Sequence, residues 1–195
     1  MNADVIQQVK EIFAQIDRQT AVVQAATGLN CPAGCGRCCE NPEVETTVLE
    51  MIPLALELWQ RGEALEWLSR SQAVENRGVC VLYQPDPFVP GNGRCSAYEF
   101  RPSICRLFAL ATVTNKQGKP ELAACVRHKE IMPETVQEAK AAIADGLPAP
   151  NFAEISIQLA MLDPSGCEKM PINQALTLAL QRVGLIAQLA GYGGE

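Results

Sequence analysis

Apolar residues recur at helical spacing near both ends of this chain and lose that period in its middle. Val5, Val9, Ile12, Phe13 and Ile16 lie four, three, one and three positions apart, which puts them on one helical face. Thr27-Gly28 ends the run, and Gly28 suits a C-terminal cap. A second helix is expected near Thr47, because Thr47-x-x-Glu50 has the capping-box form, in which hydroxyl and carboxylate satisfy each other's backbone N–H groups. Its apolar run continues through Leu54, Leu56 and Trp59. Pro53 lies inside it and should kink it or mark its start. Gly62 should end it, and a short helix around Ala64 to Leu68 should follow. From 133 onward three more helices are expected: Pro133 to Asp145 stopped by Gly146, Asn151 to Leu162 stopped by Pro164, and one opened by Pro171. In the last, Ile172, Leu176, Ala179, Leu180, Val183, Ala187 and Ala190 form an apolar stripe. These helices should pack on the N-terminal ones.

The middle is punctuated instead. Residues 31–39 read CPAGCGRCC, and proline with two glycines predicts a tight loop. Residues 76–95 are rich in Gly, Pro, Asn and Asp, with only Val79 to Tyr83 strand-like. Arg101-Pro102-Ser103 should open a short helix with proline in its first turn. Ala109 to Thr114 and Glu121 to Cys125 flank Asn115-Lys116-Gln117-Gly118-Lys119-Pro120, as in a small hairpin. The expected fold is therefore mostly α. An irregular Cys-rich metal-binding loop region packs on a small helical bundle with one short β-hairpin. Residues 1–195 read as a single domain, with the cysteine core at about 28–130 and a helical part at about 131–195.

Composition narrows the function. An apolar share of 48% with 19% charged residues is a globular balance rather than a disordered one. A net charge of −6 argues against non-specific nucleic-acid binding, which needs a basic face. His128 is the single histidine, which excludes His-rich metal sites and two-histidine mechanisms. Between Met1 and Thr20, Asp4, Lys10, Glu11, Asp17 and Arg18 interrupt the apolar residues, unlike a signal peptide. Asn173, Gln174, Gln181, Arg182 and Gln188 likewise interrupt Ile172 to Gly191, the best candidate for a membrane span. A cytoplasmic protein with reduced thiols, no membrane partner and no disulfide framework is expected.

The nine cysteines carry the chemistry. Cys31, Cys35, Cys38 and Cys39 form C-x3-C-x2-C-C, and Cys80, Cys95, Cys105 and Cys125 follow at longer intervals. Thiolates bind Zn(II) or iron strongly, and Gly/Pro loops let cysteines turn inward and point backbone N–H groups at the sulfurs. The eight are candidate metal ligands. They suit two four-thiolate sites, or one cluster plus a buried remainder. The adjacent Cys38 and Cys39 should serve different metals, or one of them should be buried. Cys31-x3-Cys35-x2-Cys38 also has the spacing of radical S-adenosylmethionine enzymes, but Arg37 stands where an aromatic residue is usual and no alternating strand–helix pattern follows. Cys167 stands apart and reads as a small core hydrophobe. His128 follows Cys125 by three residues and reads as a satisfied surface residue. Glu40, Glu43 and Glu45 read as a solvated acidic stretch. No Ser/His/Asp arrangement and no phosphate loop is present, so no catalytic residue is assigned.

The second notable stretch is Cys95-Ser-Ala-Tyr98-Glu-Phe-Arg101-Pro102-Ser-Ile-Cys105-Arg106. Arginine keeps its charge and donates to thiolates, so Arg101 and Arg106 are expected to tune the metal site from behind the ligands.

These two blocks together resemble the YkgJ-type cysteine-cluster family. The resemblance covers roughly Cys31 to Cys125 and takes in eight of the nine cysteines, with Tyr98, Arg101, Pro102 and Arg106 matching the second block. Cys80-Val81 departs from the family's frequent Cys-Pro, and Ala97 from its frequent Ile before the Tyr. The resemblance implies chelation of zinc or iron, and places Tyr98, Arg101 and Arg106 around the ligands. Three functional readings follow: a zinc- or iron-binding module, a [4Fe–4S] protein with a redox or enzymatic role, and a thiol/disulfide redox sensor.

Overall fold

The computed structural model describes residues 3–75, 77–189 and 191. Helix α1 (Ala3–Thr27) buries Val9, Ile12, Phe13, Ile16 and Val23 on the face that the spacing predicts. Gly28 closes it at φ +70°, a conformation that costs glycine little. A short α2 (Arg37–Glu40) and strand β1 (Glu45–Thr47) lead into α3 (Val48–Gln60). Thr47 caps α3 with the predicted reciprocal box to Glu50. Pro53 therefore sits inside α3, not at its start. Helix α4 (Ala64–Ala73) runs one and a half turns beyond the expected Leu68.

The cysteine-rich middle is more regular than its composition suggests. Cys38 and Cys39 lie on α2, not in the expected tight loop. Strand structure falls not on Val79 to Leu82 but on β2 (Tyr83–Pro85), paired with β3 (Gly93–Cys95). Arginine-proline does precede a short α5 (Ser103–Leu107), with Pro102 as its N-cap. The predicted hairpin is β4 (Thr112–Thr114) against β5 (Pro120–Leu122).

Helices α6 (Val126–Ile131), α7 (Pro133–Ala144) and α8 (Phe152–Leu162) follow. Strand β6 (Lys169–Pro171) returns to pair antiparallel with β1, Thr47 opposite Lys169. It feeds α9 (Ile172–Leu189). The fold is mostly α, with three two-stranded pairings among the described residues rather than one hairpin. Met1, Asn2, Asn76 and Ala190, each part of a sequence expectation above, lie outside the described residues.

Three apolar clusters hold these elements. Ile52, Ala55 and Leu58 of α3 meet Ala175, Leu176, Ala179, Leu180 and Val183 of α9. Trp59 donates its indole N–H to the Leu180 carbonyl at 3.2 Å. Gly184 permits that approach, since a Cβ there would stand 2.6 Å from the Trp59 ring. In the second cluster α1 packs on Leu107, Ile155 and Leu159. The third joins Val23 and Leu29 to Leu122 and to Val136, Ala139 and Ile143 of α7. The C-terminal helices thus pack on the N-terminal ones, as expected. No helix among the described residues is long and apolar enough to cross a membrane.

Candidate metal centre

The first cluster ends at a wall of sulfur. Buried Cys80 belongs to it, and Cys39, Cys95 and Cys105 pack against it. On its other side lies a cavity of about 250 Å3 lined by Cys31, Cys35, Cys38, Cys39, Cys80, Cys95 and Cys105. Four separate stretches of chain deliver these side chains. Tyr98, Arg101 and Arg94 share the lining, and Val44, Leu82 and Ile172 give it an apolar floor.

Local chemistry explains why the stretches converge. Gly36 leads into α2, and its neighbour across the gap is Tyr83 of β2. A Cβ on Gly36 would come within 2.2 Å of the Tyr83 ring, and one on Gly93 within 2.3 Å. The ring therefore fills a slot that only two glycines leave open. Its hydroxyl donates to the Asn92 carbonyl at 3.0 Å. The Gly93 amide donates to the Gly34 carbonyl at 2.7 Å, and the Cys80 amide to the Cys39 carbonyl at 2.9 Å. These bonds stitch the first cysteine loop to the β2–β3 hairpin and to the Cys80 turn.

Two buried polar side chains anchor the thiol-bearing segments to helices. Asn173 of α9 accepts from the Val81 amide at 2.9 Å and donates to the carbonyls of Glu75 and Val79. It was visible in the sequence only as an interruption of an apolar run. Glu50 is 3% exposed. It accepts from the Thr46 and Thr47 hydroxyls, the Thr47 amide, and the amide and hydroxyl of Ser103. The α3 capping residue thereby also fixes the start of α5, two residues before Cys105. The capping box was legible in the sequence; its second partner across 53 positions was not.

The thiols differ in proton affinity. Cys39 holds its proton and hydrogen-bonds Cys38 and Cys95, which lowers both below the ordinary cysteine value. The Arg101 guanidinium acts in the same direction on both. Burial pushes Cys80 up to about 12 and Cys105 well above its usual range. Partial burial, with Cys35, Cys125 and Cys38 nearby, raises Cys31 to about 11. The adjacent Cys38 and Cys39 thus face one cavity as a hydrogen-bonded pair, an arrangement that neither sequence expectation for them described.

The other expected residues divide. Arg101 stacks 3.5 Å above the Tyr98 ring and donates to the Tyr98 carbonyl at 3.0 Å, at the cavity wall. Arg106 does not line the cavity. It is buried, pairs with Asp17, and donates to the carbonyls of Glu99 and Arg101 over the face of Phe13, so it braces α5 to α1. Cys125 lines a neighbouring groove with Arg37, Phe108 and Arg127. It caps α6, its sulfur accepting the His128 amide at 3.3 Å.

Two expectations are corrected. His128 is not a surface residue: it is 1% exposed, and neither ring nitrogen has a partner among the described residues. Burial without partners lowers its pKa. Cys167 is exposed, not a core hydrophobe, because the turn at Pro164–Gly166 carries it to the surface. The acidic stretch is partly paired, since Arg77 bridges Glu43 and Glu45 at 2.7 Å each.

The donor chemistry fits zinc or iron, which both favour thiolate sulfur. All nine cysteines are free thiols. As the side chains stand, no three His, Cys, Asp or Glu among the described residues are grouped to hold a metal ion. Holding a metal there would require thiols to come closer to one another than they stand.

No curated protein and no solved structure matches the chain. Residues 30–126 match a family described as "CxxCxxCC: Putative zinc- or iron-chelating domain". That span holds all seven cavity cysteines together with Cys125, Tyr98 and Arg101, and through it the chain belongs to the CxxCxxCC metal-chelating family.

Proposed function

We propose that this chain is a metal-binding module. In it Cys35, Cys38, Cys39, Cys80, Cys95 and Cys105 hold zinc or iron, with Cys31 and Cys125 at the rim. One observation carries the reading: seven cysteines from four stretches of chain line one cavity. A disulfide framework would pair them, and a hydrophobic core would not keep the space between them. A bound metal would supply the attraction that joins four otherwise weakly packed segments, so that binding and local folding are one process. Arg101 places a permanent positive charge beside a site whose thiolates carry net negative charge, and Tyr98 holds its guanidinium flat. Arg106 acts at one remove, by fixing α5.

A second reading is a [4Fe–4S] cluster, which four cysteine thiolates also hold. Nine unpaired thiols support a reducing, cytoplasmic setting. The C-x2-Y and R-P-x2-C-R blocks support a YkgJ-type assignment within the family.

Elemental analysis of anaerobically purified protein for zinc, iron and acid-labile sulfide tests this. Zinc without sulfide gives the first reading, and iron with matching sulfide the second. Protein with neither metal, whose thiols all titrate freely, overturns both.

A further inference from the structure

A second hollow adjoins the metal cavity. Leu82, Cys95, Ala97 and Tyr98 line both, so one wall separates the two. This groove has a volume of about 290 Å3. It forms where α3 ends, α4 begins and the one-turn helix Tyr98–Phe100 passes. Gly62 turns the chain between the two α-helices at φ +73°. Leu54, Leu58, Trp67 and Phe100 supply apolar walls. In the same lining the carboxylates of Glu57, Glu63 and Glu99 stand against the single guanidinium of Arg61. Arg61 is engaged by Glu57, to which it donates at 2.6 Å. Glu63 accepts the Trp67 indole N–H at 3.3 Å, a neutral donor that leaves its charge in place. Glu99 is exposed and has no ion pair among the described residues. The other cations nearby are held outside the groove. Arg70 lies over the Trp67 ring and pairs with Glu66, and Arg101 lies over the Tyr98 ring and lines the metal cavity.

We propose that this groove binds a small organic cation, an alkylammonium with an apolar stem. The stem lies against Leu54, Leu58 and the aromatic rings, and the ammonium faces Glu63 and Glu99. Carboxylates set beside apolar walls, where the effective dielectric is lower than in water, attract a cation more strongly than the same charges in open solvent. A neutral ligand of the same shape gains the apolar contact alone, and an anion is repelled. The volume stands at the small end of the range for ligand pockets, which suits a small molecule rather than a peptide segment. The proposal is independent of the metal reading, since none of the residues that face the cation is a thiol.

Nuclear magnetic resonance of the full chain, with n-hexylammonium chloride as the probe, tests this. The chain has two tryptophans, which serve as signal and reference. The Trp67 indole N–H is bonded to Glu63 in the groove, whereas that of Trp59 is bonded to the Leu180 carbonyl in the α3–α9 contact. Trp67→Phe identifies the two resonances. Hexylammonium should shift the Trp67 indole resonance saturably and leave that of Trp59 in place. n-Hexanol, its neutral counterpart, should bind about tenfold more weakly. Added salt should weaken the binding of hexylammonium and not that of hexanol. Glu99→Gln, at an exposed position outside the metal cavity, should weaken hexylammonium binding about threefold. No saturable shift at Trp67, equal affinity for hexanol, or undiminished affinity in Glu99→Gln would overturn the cation site. A lysine-bearing peptide that binds far more tightly than hexylammonium would overturn its assignment to a small molecule.

Discussion

The α3–α9 contact and the cysteine cavity lie back to back and share Cys80 and Leu82, yet different physics holds them. The helix contact is a dry interlock of Ile52, Ala55 and Leu58 with Leu176, Ala179 and Leu180, sized by side-chain volume alone. The cavity joins four segments through backbone hydrogen bonds, two anchoring side chains and a ring of sulfur. On the proposed function, one region is complete as sequence, and the other would be completed by a metal that its thiols select. The comparison teaches where stability should depend on metal and where it should not.

Chelation gives the largest expected effect. It removes a binding free energy on the order of 10 kcal/mol from the thiol segments if the metal is held as in small zinc domains. Hydrogen exchange should then speed up through residues 31–40 and 80–105 while the α3–α9 amides keep their protection. Uniform loss across both regions would break the distinction. Leu180→Ala should do the reverse. It should cost about 2–5 kcal/mol in denaturant unfolding, as buried leucine truncations do, and leave metal content unchanged.

Glu50 sits at the joint between the regions. Glu50→Ala strands five buried donors and should cost about 3 kcal/mol. It should also weaken metal retention, because Ser103 no longer fixes the approach of Cys105. Gly93→Ala forces a methyl group into the Tyr83 ring and should cost about 1–3 kcal/mol by overpacking, with calorimetry as the check. Cys167→Ser should change neither stability nor metal content, since that residue is exposed and lies away from the cavity.

Acidity sharpens the same contrast in the metal-free chain. Cys80 and Cys31 have folded values near 12 and 11 against an ordinary 9.0. Their contribution is present below pH 9 and lost as pH rises through 11 and 12. Cys95 is lowered to about 7, so its contribution is present above pH 9 and lost as pH falls through 7. Metal-free stability in urea should therefore rise from about pH 7 and peak near pH 9, and alkylated protein should lose that thiol-dependent profile.

The sequence carried the long helices and the membership of the cysteine group because both are local signals. Val9 to Ile16 repeat at helical spacing, and C-x3-C-x2-C-C sits within nine residues. The remainder depended on pairings across long separations. β1 meets β6 over more than a hundred positions, with no periodicity in three-residue strands to announce it. Asn173 looked like a flaw in an apolar stripe until Val81, Glu75 and Val79 were seen around it. Tyr83 gave no signal because its slot is made by glycines 47 positions before it and 10 after it. Cys125 read as one more ligand, and only the fold placed it in a separate groove. Local chemistry was legible, then, while which thiols share a cavity required the tertiary arrangement.

X-ray absorption at the edge of the bound metal tests the central claim most directly. The account predicts a dominant sulfur shell at about 2.3 Å, lost when Cys38 and Cys105 are both replaced by serine and retained when Cys167 is replaced. A shell of oxygen and nitrogen alone, or a sulfur shell untouched by the Cys38/Cys105 replacement, would contradict it.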